Sequence, residues 1–346
     1  MRYLVFGDVH WSTYSSIIRS NGDKYSTRLE YLINTLNWIE SLAKEHYCNA
    51  IVGLGDFFDR CDLTSQEISA LSEIKWSSNI PHYLLVGNHE MGNSDLSISS
   101  SHIFKLLPEF ELITSPTCHN TSDAEIIFLP YILEADRLPL KEYIPTNRTK
   151  QRVIFSHNDI SGIQMGKFIS QSGFSINEIE DNCDLFINGH LHNHSSIGDK
   201  IINLGNISGQ NFGEDAFTYP HQVMILDTGS RELNYYENPY AFNFYKLDVT
   251  EYDNPTILNL IAQLKNNSII TIKCKDIQKD YINDIIKHHN NIIEHRLIVD
   301  FTRKVKYNNE CKPIDVDHLS KFVEYIQQNL GESDIITSEL EFLLGR

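Results

Sequence analysis

One pattern, repeated five times, constrains this chain more than any other: a short apolar run, then Gly or a polar residue, then an ionisable side chain. Arg2–Phe6 leads into Gly7-Asp8-Val9-His10, Ala50–Leu54 into Gly55-Asp56, and Tyr83–Val86 into Gly87-Asn88-His89. Val153–Phe155 leads into Ser156-His157, and Leu185–Ile187 into Asn188-Gly189-His190-Leu191-His192. Apolar runs of this length read as buried strands. Helical periodicity lies between several of them. Thr27–Lys44 spaces Leu29, Leu32, Ile33, Leu36, Ile39 and Leu42 along one face, and Ser65–Ile74 follows Thr64, a suitable N-cap. Strands alternating with helices imply an α/β fold, in which residues just past the strand ends converge on one edge. Five distant motifs would then share one site.

Further strands are expected at Ile201–Leu204, Gln222–Leu226 and Glu232–Tyr236, before a break at Asn238-Pro239. Beyond it, Phe242–Val249, a helix near Thr256–Lys265, Ile269–Lys273, a helix near Ile277–His288 and Arg296–Phe301 make a βαβαβ-like block. This divides the chain into residues 1–240, a smaller domain over 241–310 and a tail over 311–346, with a helix expected at Val316–Leu330. Hydrophobic residues make up 41% of the chain, enough for a real core, yet no apolar run approaches the roughly 20 residues of a membrane helix. The N-terminal apolar stretch is too short for a signal peptide, so a soluble, cytoplasmic protein without membrane association is expected. Six scattered cysteines with no C-x-x-C pair suit reduced thiols rather than a disulfide framework or zinc ribbon.

The chemistry lies in the motifs. Two residues one apart on an extended segment point the same way, so Asp8 and His10 can reach one ion, as can His190 and His192. Asp56 follows a Gly that permits a tight turn, and its two carboxylate oxygens can bridge two cations. Asn88 offers a neutral oxygen. The adjacent His89 cannot face the same ion and is left to meet a substrate. With His157 the set holds two carboxylates, one amide and four imidazoles, enough for two cations sharing Asp56. Mixed oxygen and imidazole ligands favour Mn or Fe, and Mn2+ is the expected metal. Two ions about 3.5–4 Å apart are a common apparatus for hydrolysing phosphate esters.

These residues resemble the calcineurin-like metallophosphoesterase superfamily, whose pattern D-x-H, G-D, G-N-H, H, G-H-x-H is complete over roughly residues 1–240. The resemblance implies a four-layer sandwich: two β-sheets flanked by helices, with a small C-terminal α/β capping domain. It assigns Asp8, His10, Asp56 and His192 to one metal, and Asp56, Asn88, His157 and His190 to the other. His89 would orient the phosphate or protonate the leaving group.

Within the superfamily the chain looks most like the nuclease subunit of the SbcD/Mre-type break-repair complex, in its bacterial or phage form. Gly55-Asp56-x-Phe58-Asp59 resembles that family's second motif. Asn203-Leu204-Gly205-Asn206 and Asn211-Phe212-Gly213-Glu214 resemble the segment after its last histidines. Asn238-Pro239 with Phe244–Val249 resembles its entry into the cap. This implies Mn-dependent 3′-to-5′ exonuclease action on double-stranded DNA and endonuclease action on single strands, for recombination and repair. It also implies an SbcC-type coiled-coil ATPase partner, gripped by the apolar tail Val316–Leu344, and a homodimer, in the host cytoplasm if phage-encoded. Asp59 stands where some members carry a phosphate-handling His, and is taken with His89 as catalytic.

Two features leave alternatives open. The net charge of −17 does not suit a general nucleic-acid binder, although bound divalent cations add positive charge and Lys167, Lys246, Lys273, Lys275, Arg303, Lys304 and Lys306 would give a local basic track. Gly55–Arg60 and Gly87–Glu90 also echo phosphoprotein phosphatases, where Arg60 would contact phosphate or substrate. Against that echo, the Arg expected before Gly87 is Val86. A small-molecule or nucleotide phosphodiesterase is the other alternative.

Overall fold

The computed structural model describes residues 1–13, 24–165 and 168–300. Within them the strand-forming runs build three main sheets and two two-stranded ones. β1 (Arg2–Phe6), β2 (Ala50–Gly53), β3 (His82–Leu85) and β4 (Phe110–Ile113) pair in parallel in that order. β5 (Thr117–Asn120), β6 (Ala124–Leu129) and β7 (Gln151–Ser156) begin the second sheet. Four two-residue strands follow, β8 (Ile160–Ser161), β9 (Gln164–Met165), β10 (Phe168–Ile169) and β11 (Phe174–Ser175), with β9 paired to β10 and β8 to β11. β12 (Leu185–Asn188), β13 (Ser195–Ile197) and β14 (Ile201–Asn203) complete the second sheet in the order β13-β14-β12-β7-β6-β5. β15 (Gln222–Asp227) returns antiparallel to β1, and β16 (Glu232–Glu237) closes that edge.

Alternation of side chains across each strand explains the layering. In β1, Tyr3 and Val5 enter the core between the two large sheets. Leu4 and Phe6 point the other way, onto α1 (Thr27–Glu45) and α2 (Ser65–Leu71). In β6, Ile126 and Phe128 join the inner core, while Ile127 and Leu129 pack outward with Ile179 of α3 (Ile176–Asn182). Helices, sheet, sheet and helix therefore form four layers. Each such side chain contributes about 1.5–3 kcal/mol when fully buried.

The third sheet is parallel throughout: β17 (Asn243–Asp248), β18 (Ser268–Lys275) and β19 (Ile292–Asp300). Its crossovers are α4 (Asn254–Ala262), capped by Asp253, and α5 (Lys279–Lys287). Ile257, Ile261, Ile282, Ile285 and Ile286 of these helices share one core with Leu247, Ile270 and Ile272 of the sheet. On the opposite face, Lys273 is paired with Asp248 at 2.9 Å and Lys246 donates to the Gly213 carbonyl at 2.9 Å. Lys275 pairs with Glu251 at 2.9 Å. The other residues of the expected basic track, Lys167, Arg303, Lys304 and Lys306, lie outside the described residues, as does the tail helix expected at Val316–Leu330.

Several elements differ from the sequence expectation. α2 stops at Leu71, three residues early, where Ser72 becomes the C-cap. The segment expected to be helical from Ile277 begins as a 3-10 turn, Asp276–Gln278, because the Gln278 side chain accepts the Lys275 N–H. The sequence expectation has no counterpart for β4, β5, β6, β8, β9, β10, β11, β13 or α3. β6 is buried at every position, but it ends on Pro130-Tyr131 rather than on a metal-type ligand, so a search keyed to strand-end ligands passes over it. Among the described residues no helix is long and apolar enough to cross a membrane, and the five described cysteines are unpaired.

Candidate active site

All the strand ends singled out in the sequence meet at one edge of the sandwich. Asp8 and His10 follow β1, Asp56 follows β2, Asn88 and His89 follow β3, His157 follows β7, and His190 and His192 follow β12. Hydrogen bonds between loops hold them there. His10 and Trp11 donate backbone N–H to Asp56 and Phe57 carbonyls at 2.9 and 2.7 Å, and Gly189 donates to Ser156 at 2.9 Å. The Asn203–Asn206 segment braces the last motif from behind: Asn203 Nδ2 donates to the Leu191 and Asn193 carbonyls. Asn206 N–H then donates to the His192 carbonyl at 3.0 Å.

The site stores backbone strain. Among the described residues seven non-Gly positions have positive φ, and three of them are His10 (48°), Asp56 (48°) and His190 (71°). A left-handed non-Gly residue costs about 1–3 kcal/mol and persists only where its surroundings enforce it. Gly55, at φ 105°, is required here. A Cβ on it would stand 2.5 Å from His157 Nδ1.

Two carboxylates organise the centre in the same way. Asp8 Oδ1 accepts the His190 N–H at 3.0 Å and Asp56 Oδ1 accepts the His89 N–H at 2.9 Å. Each thus commits one oxygen to the backbone of another motif. The remaining oxygens face imidazole nitrogens. Asp8 Oδ2 is buried and has no hydrogen-bond partner. Asp56 Oδ2 lies 3.2 Å from His157 Nε2 and 4.0 Å from His10 Nε2.

Around these oxygens the ligand-type atoms gather into groups. Asp8, His10 and His192 place theirs within 4.8 Å of one another, and so do Asp56, His157 and His190. Asn88 Oδ1 joins the second group, 3.2 Å from His157 Nε2 and 2.9 Å from His190 Nδ1. His10 Nε2 and His192 Nε2 approach to 3.1 Å. A buried carboxylate oxygen without a donor costs about 1–3 kcal/mol. A divalent cation beside Asp8 Oδ2 would remove that cost. The donor set of carboxylate, amide oxygen and imidazole fits such ions.

Outer contacts reach four of these imidazoles, as ligand histidines commonly require. His157 Nδ1 meets the Leu54 carbonyl at 2.7 Å. His190 Nε2 meets Asp159 Oδ1 at 3.2 Å. Asp59 Oδ1 lies 3.2 Å from His10 Nδ1, and the Asp59 carbonyl is 3.0 Å from His89 Nδ1. His89 Nε2 is therefore the ring nitrogen left for substrate. The His190 contact holds Asp159 below the usual carboxylate range against its partial burial, and the His10 contact does the same for Asp59.

Burial disfavours ionised Asp56, but the charge of His157 beside it wins and holds this carboxylate well below its ordinary value. Burial likewise opposes protonation of His157, and Asp56 outweighs it, so the imidazole is pushed up to about 9. Beneath them Glu90 accepts N–H bonds from Phe58 and Gly87, each at 3.0 Å. Burial, with Asp56 adding to it, pushes Glu90 up to about 8.

Arg60 is placed differently. Its guanidinium is engaged by both oxygens of buried Glu67, at 2.8 and 2.9 Å, and by Ser12 Oγ at 3.3 Å. Sequence reasoning missed Asp159, although its signal was present: it stands two residues after His157 on an extended segment, the same spacing that linked Asp8 to His10.

A four-layer α/β sandwich whose strand ends gather carboxylates, an amide and imidazoles has the architecture of a metallophosphoesterase. The chain belongs to the calcineurin-like phosphoesterase family, whose model matches residues 1–224, and this family uses divalent metals. It is 24% identical over 200 residues to a protein of Invertebrate iridescent virus 3 named "Putative phosphoesterase 078R", covering 54% of each chain. The chain thus spans about half the length of that curated relative. Among solved structures it is similar to TT1561 of Thermus thermophilus, at 11% identity and a TM-score of 0.40, covering 68% of this chain and 98% of that one. It is also similar to Yfce, a phosphoesterase from E. coli, at 12% identity and a TM-score of 0.32, covering 69% and 100%.

Proposed function

We propose that this phosphoesterase cleaves phosphodiesters, and DNA in particular, as an Mn-dependent nuclease working with an SbcC-type coiled-coil ATPase. The observation that carries the diester reading is the fate of the arginines touching the site's loops. Arg60 is captured by Glu67. Arg28 is buried and donates to the His10 carbonyl at 3.1 Å. A phosphomonoester dianion calls for cationic side chains beyond the metals, as the phosphatase echo at Arg60 would supply. A diester carries one charge fewer and would be served by the ions these ligands hold together with His89.

Asp8, His10, Asp56 and His192 would hold one divalent ion, and Asp56, Asn88, His157 and His190 the other. Such ions supply positive charge for the phosphate oxygens and lower the pKa of a bound water. The chain's own residues do the rest. His89, oriented through the Asp59 carbonyl, presents Nε2 to the phosphate or leaving oxygen. Asp59 also steadies His10. Support for DNA comes from the resemblance at Phe58-Asp59, Asn203–Asn206 and Asn211–Glu214, and from the α/β block after residue 240, proposed as a DNA-binding cap. The tail over 311–346 is proposed as the ATPase-binding segment and the nuclease as a dimer.

The test is incubation of the purified chain with Mn2+ and linear double-stranded DNA, beside bis-p-nitrophenyl phosphate and p-nitrophenyl phosphate, with Asp8→Ala as control. Degradation of DNA and the diester by wild type alone is expected. Preference for the monoester would overturn the diester reading. Diester turnover with intact DNA, persisting after an SbcC-type ATPase is added, would overturn the DNA assignment.

A further inference from the structure

We propose that Tyr131 is a substrate-contacting residue, donating its phenol hydroxyl to an oxygen of the phosphodiester bound beside the Asp56–Asn88–His157–His190 group. The proposal rests on the phosphodiesterase reading above and adds a sixth strand end to the site. Tyr131 follows β6, the strand next to β7, and so emerges on the same edge as His157.

Its placement is rigid. The Tyr131 N–H donates across the sandwich to the Val86 carbonyl at 2.9 Å, at the start of the loop carrying Asn88 and His89. The next residue, Ile132, donates to Asn158 Oδ1 at 3.0 Å. Anchored on both sides, the ring sits 5.8 Å from the His190 ring and 6.4 Å from the His157 ring, centroid to centroid.

Its hydroxyl is available. Tyr25, Tyr143 and Tyr281 each spend the phenol on a protein acceptor or donor. Among the described residues the Tyr131 hydroxyl has no such partner, and the side chain is only half-buried. Partial burial raises the phenol's pKa, and the carboxylates of Asp159, Asp56 and Glu134 add to it. The group stays protonated and can only donate to an anionic oxygen. A donor held on a strand end beside developing charge stabilises a transition state without reorganising. Glu134, which also faces this ring electrostatically, is occupied by Arg137.

Tyr131→Phe and Tyr131→Ala are compared with wild type on bis-p-nitrophenyl phosphate, with thermal melting and Mn2+ binding as parallel readouts. Tyr131→Phe is expected to lower kcat/KM about tenfold, the scale of one hydrogen bond, with melting temperature and Mn2+ affinity unchanged. Wild-type kcat/KM in Tyr131→Phe would overturn the proposal, whether or not Tyr131→Ala is impaired, because the ring alone would then suffice. A loss in Tyr131→Phe matched by an equal loss of Mn2+ affinity would also overturn it, since the hydroxyl would then act through the metal ligands. If wild type itself fails to turn over the diester, it is the phosphodiesterase reading that has failed.

Discussion

Replacing Asp8 with Asn should separate the stability of the protein from its metal binding. Asp8 is fully buried. Its Oδ1 accepts the His190 N–H, and its Oδ2 accepts nothing, lying 3.9 Å from His10 Nε2 and 4.0 Å from His192 Nε2. Asn preserves the shape and the Oδ1 acceptor. It removes a buried charge and exchanges the unsatisfied Oδ2 acceptor for an amide donor in the same place, so of the cost of about 1–3 kcal/mol only the charged part is relieved. In EDTA, Asp8→Asn should therefore match wild type or exceed it by about 1 kcal/mol. With metal the order reverses. Ligand at 100 times its Kd stabilises a protein by about 2.7 kcal/mol, which for a large domain is roughly 5 °C in melting temperature. Wild type should gain this increment in Mn2+ and Asp8→Asn should lose most of it. The assay is thermal melting of both proteins in EDTA and across an Mn2+ series. A variant several kcal/mol less stable than wild type in EDTA would make Asp8 a structural residue. A variant keeping the full Mn2+ increment would remove Asp8 from the metal site.

Four further outcomes are expected. Asp159→Ala strips His190 Nε2 of its 3.2 Å partner; metal affinity by calorimetry should fall roughly 10–100-fold with little change in far-UV circular dichroism. Because His157 is pushed up to about 9 beside Asp56, metal uptake at pH 7.5 should release about one proton from it, seen as a buffer-dependent binding enthalpy. The same raised pKa makes the metal-free pair stabilising below about 6.5, His157's unfolded value, with that stability lost as pH rises through about 9; denaturant midpoints in EDTA should fall across that window, and a flat profile would refute the pairing. At the far ends of β6 and β7, Arg152 bonds Glu125 Oε2 twice, at 3.0 and 2.9 Å, within the protein. Arg152→Ala should cost about 3–5 kcal/mol by leaving Glu125 buried and unpaired, while the protein that remains folded binds Mn2+ as wild type does.

Much of this protein was legible locally. Apolar runs ending in Gly-Asp, Gly-Asn-His or Gly-His-x-His mark strands and name the polar residues at their ends, because strand propensity and side-chain alternation are short-range properties. From this alone the α/β class and the convergence of ligands on one edge follow. What local pattern cannot carry is which strand lies beside which. His10 meets His192 across 182 residues, and Asn88 meets His190 across 102, because two sheets built from separate stretches of chain pack face to face. The same packing decided that Arg60 would be spent on Glu67, that Lys273 would be neutralised by Asp248 one strand away, and that Asp159 and Tyr131 would stand against His190. The sequence determined which side chains were on offer at the strand ends. Their partners, and hence their charge states and roles, were decided only when sheet order and burial brought them together.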